Sequence, residues 1–282
     1  MQYIIIEYFR DRNFGDAVNN LIFPFFVRGT YTHEGDRALT DANTLTILGI
    51  GSIMDKATLK CTVCGSGIIS PRHPISKPGS VCWVRGPMTR ELLLKLSVPC
   101  PKIYGDPTLL LPFIITPRLS PKAFTLGFIP HYVDKNTPGS KQLADMGAHF
   151  IDIRNYRTYQ NFVDNITSCQ YIISSSLHGI IVADAYNIPA YHIKLSNNVI
   201  GSDFKFRDYY LSVNRTYSEI SLKSNLAEML RQFRPYKCSI DISQILTSIP
   251  RCDDETKRAC LDRLSDGFMD YIHKQATGTT AP

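Results

Sequence analysis

The chain lacks any apolar run approaching the ~20 residues needed to cross a membrane. Its start, MQYIIIEYFRDR, holds only three consecutive isoleucines before Glu7, whereas a signal peptide needs an apolar region of ~7–15 residues. The start therefore reads as a first β-strand, and the expected location is the cytoplasm. A strong charge of either sign is also missing: 31 Lys and Arg against 25 Asp and Glu leave +6 on 282 residues. That is far from the clustered basicity of a nucleic-acid binder, so no nucleic-acid partner is expected. There is no internal repeat or low-complexity block, and the 17 Gly and 17 Pro are spread along the chain, which excludes a fibrous or disordered protein. Eight cysteines would form a disulfide framework in a short secreted chain; in a long chain without an export signal they read as free thiols. Cys61-Thr-Val-Cys64 has the spacing of half a zinc knuckle, but no second CxxC or nearby His pair completes it, so no metal is expected. The sequons at Asn165 and Asn214 carry no weight without secretion.

What is present fits a globular protein: 44% hydrophobic and 20% charged residues, with length for about two domains or one large α/β unit. Residues 1–120 carry 13 basic and 9 acidic side chains, 121–235 carry 12 and 9, and 236–282 carry 6 and 7, an excess of +4, +3 and −1. Two mildly basic halves suit a cleft that receives a small anion, although ordinary solvated surfaces give the same counts. Strand-like and helix-like segments alternate, the pattern of parallel sheets with crossover helices. QYIIIEYF, TLTILGIGSIM and SVCWVRG read as strands of a first set, with a helix through NFGDAVNNLIFPFFV, its first turn served by Asp16, and another through PMTRELLLKLSV. TLLLPFIITPRLSPK, broken by Pro112, Pro117 and Pro121, reads as a connector. FTLGFIPHY, HFIDI, QYIISSSLHG and PAYHIKL read as strands of a second set, with helices between them, while SEISLKSNLAEMLRQF and TKRACLDRLSDGFMDYIHK read as helices and ATGTTAP as a frayed end. The expected architecture is α/β, two Rossmann-like lobes facing a cleft, with boundaries 1–118, 119–235 and a helical tail 236–282.

In open α/β sheets, ligands bind beyond the carboxyl ends of the strands. Five such places carry more polar or glycine content than a turn requires. Asn13, Gly15 and Asp16 lie at a helix start whose amides suit an anion or a hydroxyl-rich ligand, or simply cap the helix. Gly51 and Ser52 let a ligand approach the backbone, but the segment lacks the third glycine of a dinucleotide fingerprint. Arg85 stands at a strand-to-helix junction, where a guanidinium can grip a carboxylate or phosphate through two parallel N–H bonds. His131 follows the first strand of the second lobe. Ser174, Ser175, Ser176, Leu177 and His178 combine hydroxyl donors with an imidazole of ordinary pKa ~6.5 at a turn into a helix. They lack the glycines of a hydrolase elbow, and a serine-rich phosphate loop without catalysis is the strongest bland reading. Lys194, Lys205 and Arg207 add cations to the same lobe.

NFGDAVNN, LGIGSI, VRGPMTRELL, YGDPTLLLP, GFIPHY and SSSLHGIIVADAYNIPA, in that order, resemble the polysaccharide pyruvyltransferases, in particular the short bacterial ones that decorate exopolysaccharides. The resemblance runs from about residue 3 to about residue 210. It implies a fold similar to the GT-B glycosyltransferases, and transfer of the pyruvyl group of phosphoenolpyruvate onto two hydroxyls of one sugar, forming a cyclic ketal and releasing phosphate. It matches Arg85 to a donor-binding arginine, His178 to the histidine of S-x-L-H, and Lys194, less closely, to a lysine after the following strand. An arginine can stand just before Leu-His in such proteins; here that position is Ser176, which leaves Lys194, Lys205 or Arg207 to meet the phosphate.

Phosphoenolpyruvate carries two anionic groups on three carbons and needs cationic clamps rather than a nucleotide pocket. His178 is the expected acid toward its C3, with Asp16 or His131 among the groups that take hydroxyl protons. No cofactor beyond this donor is expected. The GT-B comparison puts the acceptor near Asn13 to Asp16 on the first lobe and the donor on the second, and the resemblance implies a saccharide acceptor on lipid-linked units, with peripheral membrane association at the inner face. The tail either crosses back onto the first lobe or packs against a second copy in a homo-oligomer. Two other readings stay open: a GT-B glycosyltransferase using a nucleotide sugar, for which no ribose-gripping acid or base-stacking pocket is identified, and a carbohydrate-binding relative that has lost the chemistry.

Overall fold

The structure is a computed structural model that describes residues 3–8, 12–31, 44–118, 122–201 and 203–277. The expected boundary at residue 119 and the terminal residues 278–282 lie outside these.

Short β-rich runs pair into two separate sheets. The first holds β1 (Tyr3–Glu7), β2 (Thr30–Tyr31), β3 (Thr44–Leu48), β4 (Cys61–Cys64) and β5 (Ser80–Trp83) in the order β2-β1-β3-β4-β5. The second holds β6 (Phe124–Ile129), β7 (His149–Phe150), β8 (Cys169–Ser174), β9 (Ala190–Ile193) and β10 (Glu219–Ile220) in the order β10-β9-β8-β6-β7. Every pairing between these strands is parallel. Parallel strands are covered on both faces, which is why Ile4, Ile47, Ile172 and Ile173 are buried in continuous apolar runs. In each sheet the chain leaves its first strand to one side and returns on the other, β2 and β3 flanking β1, β7 and β8 flanking β6. Such a switch point opens a crevice at the strands' carboxyl ends.

The helices of the first half are α1 (Phe14–Ala17), α2 (Asn19–Phe26) and α3 (Pro87–Lys95). The single helix expected through NFGDAVNN is broken at Val18, and its cap is Asn13 rather than Asp16. The expected connector after Asp106 is instead a buried 3-10 turn, Pro107–Phe113, because its leucines pack into the core while its prolines forbid a regular helix.

In the second half, α4 (Pro138–Asp145), α5 (Tyr159–Thr167) and α6 (Leu177–Ala185) follow the strands, and α7 (Phe204–Ser212) comes after β9. The helix expected over SEISLKSNLAEMLRQF is an edge strand, β10, followed by a short helix, α8 (Leu226–Leu230), capped by Asn225. After α9 (Ile242–Ser248), the expected terminal helix is two, α10 (Asp254–Ser265) and α11 (Phe268–Thr277), separated at Gly267, whose φ of 77° is the left-handed conformation that ends a helix.

The lobes share one core. Phe14 of the first stacks on Phe162 of the second at 4.0 Å and meets Tyr156 and Tyr159 edge-on at 5.2 and 5.7 Å. The backbone of Phe14 also donates to Ile153 O at 2.8 Å. The tail lies on the first lobe, where Arg28 N–H donates to Arg251 O at 3.0 Å and the Arg28 side chain pairs with Asp253. Among the described residues no helix is long and apolar enough to cross a membrane.

Candidate active site

The two switch points face each other across the seam between the lobes. On the first lobe, Asn13 caps α1 by accepting the Gly15 N–H at 3.0 Å. The Asn19 side chain fastens the loop after β3 to the same helix pair, donating to Ile50 O at 3.2 Å and accepting Ile50 N–H at 2.8 Å. Gly49 permits this approach, since a Cβ there would lie 2.3 Å from Asn19 Oδ1. Gly51 holds a φ of 129°, and a Cβ on it would lie 3.6 Å from the Asp16 carboxylate. Asn13, Gly15, Asp16 and Gly51 are thus gathered into one wall, with Ser52 next along the chain.

On the second lobe, the turn from β8 into α6 is held by its own serines. Ser174 Oγ lies 2.6 Å from Ile129 O and accepts the Ser176 N–H at 3.0 Å, while Ser175 Oγ accepts the His131 N–H at 2.9 Å. This delivers His178, in the first turn of α6, against the first lobe at Gly15. A Cβ on Gly15 would lie 1.9 Å from His178 Nδ1, so glycine makes room for the imidazole. Leu177 is core, only 6% exposed.

Arg85 is nearly fully buried, at 1% exposed, and its donors are engaged by protein: Nε with Asp208 of α7 at 3.2 Å, Nη1 with Ser52 Oγ at 2.6 Å and Nη2 with Ile68 O at 2.8 Å. Its guanidinium ties the first lobe to α7. Lys205 differs. It is 8% exposed, and among the described residues its ammonium makes no hydrogen bond. Burial and the Arg85 charge push Lys205 down to about 8, against the pull of Asp16 and Asp134. Burial, with Lys205 and Arg85 nearby, pushes His178 down to about 3, so its imidazole is uncharged near neutrality.

A pocket of about 80 Å³ opens on the second lobe, lined by Asp134, Ser175, His192, Lys194 and Ser196 among others. Lys194 is exposed at its mouth. Arg207 lines a neighbouring groove with Arg72 and Met88 that shares Asp203 with this pocket, pairing with Asp203 at 3.8 Å and stacking over Tyr217 at 4.5 Å. His131 rests on Tyr132 with centroids 4.3 Å apart, while its Nδ1 accepts the Val133 N–H at 3.4 Å. The structure therefore gathers Gly15, Asp16, Gly51, His178 and Lys205 closely, sets Ser175 and Lys194 in the adjoining pocket, and holds Arg207 outside it on Asp203.

Two carboxylates were missed from sequence. Asp134 lies five residues beyond the end of β6, within the strand-exit rule that flagged His131. Asp208, which accepts Arg85, Thr89 N–H at 2.9 Å and Thr89 Oγ–H at 2.7 Å, has no local signal because its partners lie more than a hundred residues away.

The family model for polysaccharide pyruvyl transferase matches residues 75–197, which hold four of the six motifs of the resemblance, from VRGPMTRELL to SSSLHGIIVADAYNIPA. Arg85, His131, Ser175, Ser176, Leu177, His178 and Lys194 fall inside that span; Asn13 to Asp16, Gly51, Ser52, Lys205 and Arg207 fall outside it. The chain is 26% identical over 213 residues to the succinoglycan biosynthesis protein ExoV of Rhizobium meliloti (strain 1021), covering 73% of this chain. It is 30% identical over 167 residues to the uncharacterized protein L143 of Acanthamoeba polyphaga mimivirus, covering 57% of this chain. The aligned stretches span 63% and 57% of the length of those two relatives.

Proposed function

We propose that this chain transfers the pyruvyl group of phosphoenolpyruvate onto two hydroxyls of one sugar in an exopolysaccharide or its lipid-linked precursor, forming a cyclic ketal and releasing phosphate. The family match and the succinoglycan-related relative support the reaction class. The observation that carries the donor assignment is Lys205, a cation on a largely buried side chain that makes no hydrogen bond among the described residues, set beside an uncharged histidine at a helix start. A buried charge is costly unless paired, and a small dianion supplies the partner. The reading takes the two sheets as GT-B-like lobes, with Arg85 holding them in register rather than gripping the donor directly.

The chemistry follows from charge. Bound phosphate and carboxylate raise the proton affinity of His178, which then protonates C3 of the enol. The C2=C3 electron pair takes that proton, leaving C2 oxocarbenium-like, and a sugar oxygen closes on C2 as its own proton departs. The C2–O bond to phosphate then breaks with its electrons on the phosphate oxygen, and the second sugar oxygen takes its place. Of the two hydroxyl protons, one reloads His178 and one leaves on hydrogen phosphate, so the balance closes without a redox partner. A lipid-linked acceptor would bring the protein to the inner membrane face, where its mild basic excess is favourable.

The test is thermal shift and calorimetric titration with phosphoenolpyruvate and with a panel of nucleotide sugars. Phosphoenolpyruvate is expected to stabilise the protein, and Lys205→Met to weaken its binding about 10- to 100-fold, the worth of a hydrogen bond to a charged group. Stabilisation by a nucleotide sugar alone would overturn the reading in favour of glycosyl transfer.

A further inference from the structure

The groove beside Arg207 has no part in the transfer chemistry. It measures about 420 Å³ and is built by both lobes: Arg72 comes from the loop after β4, Met88 from α3, and Gly201, Asp203, Phe204 and Arg207 from the turn into α7. The lobes touch here, since a Cβ on Gly201 would lie 2.4 Å from Ile69 O. Arg72 is exposed, and among the described residues its guanidinium makes no hydrogen bond or ion pair. Arg207 pairs with Asp203 at 3.8 Å, an exposed contact that holds it weakly. Asp203 is the one carboxylate on the lining, so two guanidiniums leave a net positive charge. The loop 69–79 adds His73 and Lys77, both exposed, and holds no Asp or Glu. Such a wall favours an anion.

The groove is also apolar. Met88 and Phe204 lie half-buried on its lining, and Ile200, next to Gly201, is 58% exposed. Along α7, Phe204, Arg207 and Leu211 follow at i, i+3 and i+7, which sets them in one row, and Leu211 is 53% exposed. Guanidiniums beside exposed aliphatic side chains suit an amphiphile with an anionic head. The position fits as well. Asp203 is shared with the 80 Å³ pocket of the second lobe, and the loop that carries Arg72 follows Ile68, whose oxygen accepts Arg85 Nη2 at 2.8 Å while Arg85 Nη1 donates to Ser52 Oγ at 2.6 Å. A sugar on the first-lobe wall at Asp16 and Ser52 thus has the groove next to it, ready for whatever is linked beyond the sugar. In a lipid-linked precursor that is a phosphate linkage followed by an apolar chain.

We propose that this groove binds the diphosphate linkage and the first part of the apolar chain of a lipid-linked acceptor. Arg72 of the first lobe and Arg207 at the turn into α7 each meet one phosphate, and Met88 and Phe204 lie against the chain. The inference rests on the pyruvyl-transfer reading for the word acceptor, and it leaves the reacting sugar on the first lobe. It turns the face that carries Ile200 and Leu211 toward the lipid, and it makes the carrier, as well as the sugar, something the protein recognises.

The experiment is calorimetric titration of the full chain with farnesyl diphosphate, inorganic pyrophosphate, UDP-glucose and phosphoenolpyruvate, beside co-sedimentation with phosphatidylglycerol vesicles. Farnesyl diphosphate is expected to bind about 10-fold tighter than pyrophosphate, because the chain buries apolar surface that pyrophosphate lacks. Arg72→Ala, at an exposed position, is expected to weaken farnesyl diphosphate about 10-fold, the lower end for a hydrogen bond to a charged group, and to leave phosphoenolpyruvate within about twofold. Met88→Ser is expected to weaken farnesyl diphosphate alone and leave pyrophosphate as it was. Absence of farnesyl diphosphate binding, or the same affinity in Arg72→Ala, overturns the proposal. Pyrophosphate binding as tight as farnesyl diphosphate reduces the groove to a plain anion site, and loss of phosphoenolpyruvate binding in Arg72→Ala assigns it to the donor; both overturn the proposal. So do Arg72-dependent binding of UDP-glucose tighter than that of farnesyl diphosphate, and Arg72-dependent binding to vesicles without farnesyl diphosphate binding. Arg72-dependent farnesyl diphosphate binding by a protein that ignores phosphoenolpyruvate removes the pyruvyl reading and leaves the lipid-diphosphate groove standing.

Discussion

His178 and His192 are both held uncharged by their surroundings, and the sign of the consequence can be worked out. Burial pushes His178 to about 3 and His192 to about 4, below the ordinary value near 6.5. The unfolded chain therefore binds more protons than the folded one between those values, so the stability these groups confer is complete above pH 6.5 and is lost as pH falls toward 4 and then 3. Each contributes a slope of at most about 1.4 kcal/mol per pH unit in that window. Denaturant unfolding at pH 7 and pH 5 is expected to show a marked loss in the wild type, and His192→Gln to remove about half of the slope; an unchanged slope in that variant would show that other groups carry the acid sensitivity. His192 is a fair choice for the test because it stands on Phe206 with centroids 3.7 Å apart and bonds Tyr217 at 3.0 Å, clear of the seam at Gly15. At this scale the sequence already pointed to His178, since a histidine after a serine-rich strand exit is visible locally. That burial would leave it neutral was not visible, because Lys205 and Arg85 reach it from other elements.

Among the elements, α7 ties the second lobe to α3 of the first. It carries Lys205 into the site and Asp208 against α3, where one carboxylate serves Arg85, Thr89 N–H and Thr89 Oγ–H. The approach is close: a Cβ on Gly86 would lie 2.0 Å from Asp208 O. Removing Asp208 leaves the Arg85 guanidinium buried and unpaired, which costs about 3–5 kcal/mol. Asp208→Ala is thus expected to lower the denaturation midpoint steeply, and Arg85→Met combined with Asp208→Leu to recover most of the loss; a single variant as stable as the wild type would dissolve the assignment. The βα alternation and the strand exits could be read from the sequence, since parallel strands are continuous apolar runs and their exits collect Gly, Ser and Asn, whereas the strand order that makes two of those exits switch points could not. What local reading got wrong has local physical causes of another kind. Val18 and Gly267 interrupt helices whose apolar spacing runs straight through them, and Glu219–Ile220 becomes an edge strand only because β9 offers a free edge. Tertiary context outweighs propensity in each case.

At the scale of the whole molecule, two sheets with a shared core need something to hold them as one body, and the tail supplies part of it. Ile245 of α9, Leu246 beside it and Ile272 of α11 are buried at 0%, 1% and 0%, in the same apolar cluster as Phe26, Phe113 and Ile180. Polar ties flank that packing: Arg28 with Asp253 and with Thr256 Oγ at 2.8 Å, and Lys122 donating to Thr167 O, Cys169 O and Ala276 O at 2.7, 2.9 and 2.7 Å. The exposed Arg28 pair adds little. Burying three large aliphatic side chains, at about 1.5–3 kcal/mol each, contributes about 5–9 kcal/mol. That is comparable with the whole stability of a typical domain, about 5–15 kcal/mol. A chain ending at residue 235 keeps every residue of the site, yet it uncovers Phe113 and Phe26 on the first lobe and the end of α5 on the second. It is expected to lose cooperative unfolding and to elute as aggregates, whereas the full chain with Ile272→Ala should fold with a loss of about 2–5 kcal/mol. Size-exclusion chromatography and denaturant titration of the two together decide the matter: a monomeric, cooperatively folding 1–235 would make the tail an appendage, and the seam that positions His178 against Gly15 would then be the work of the lobes alone.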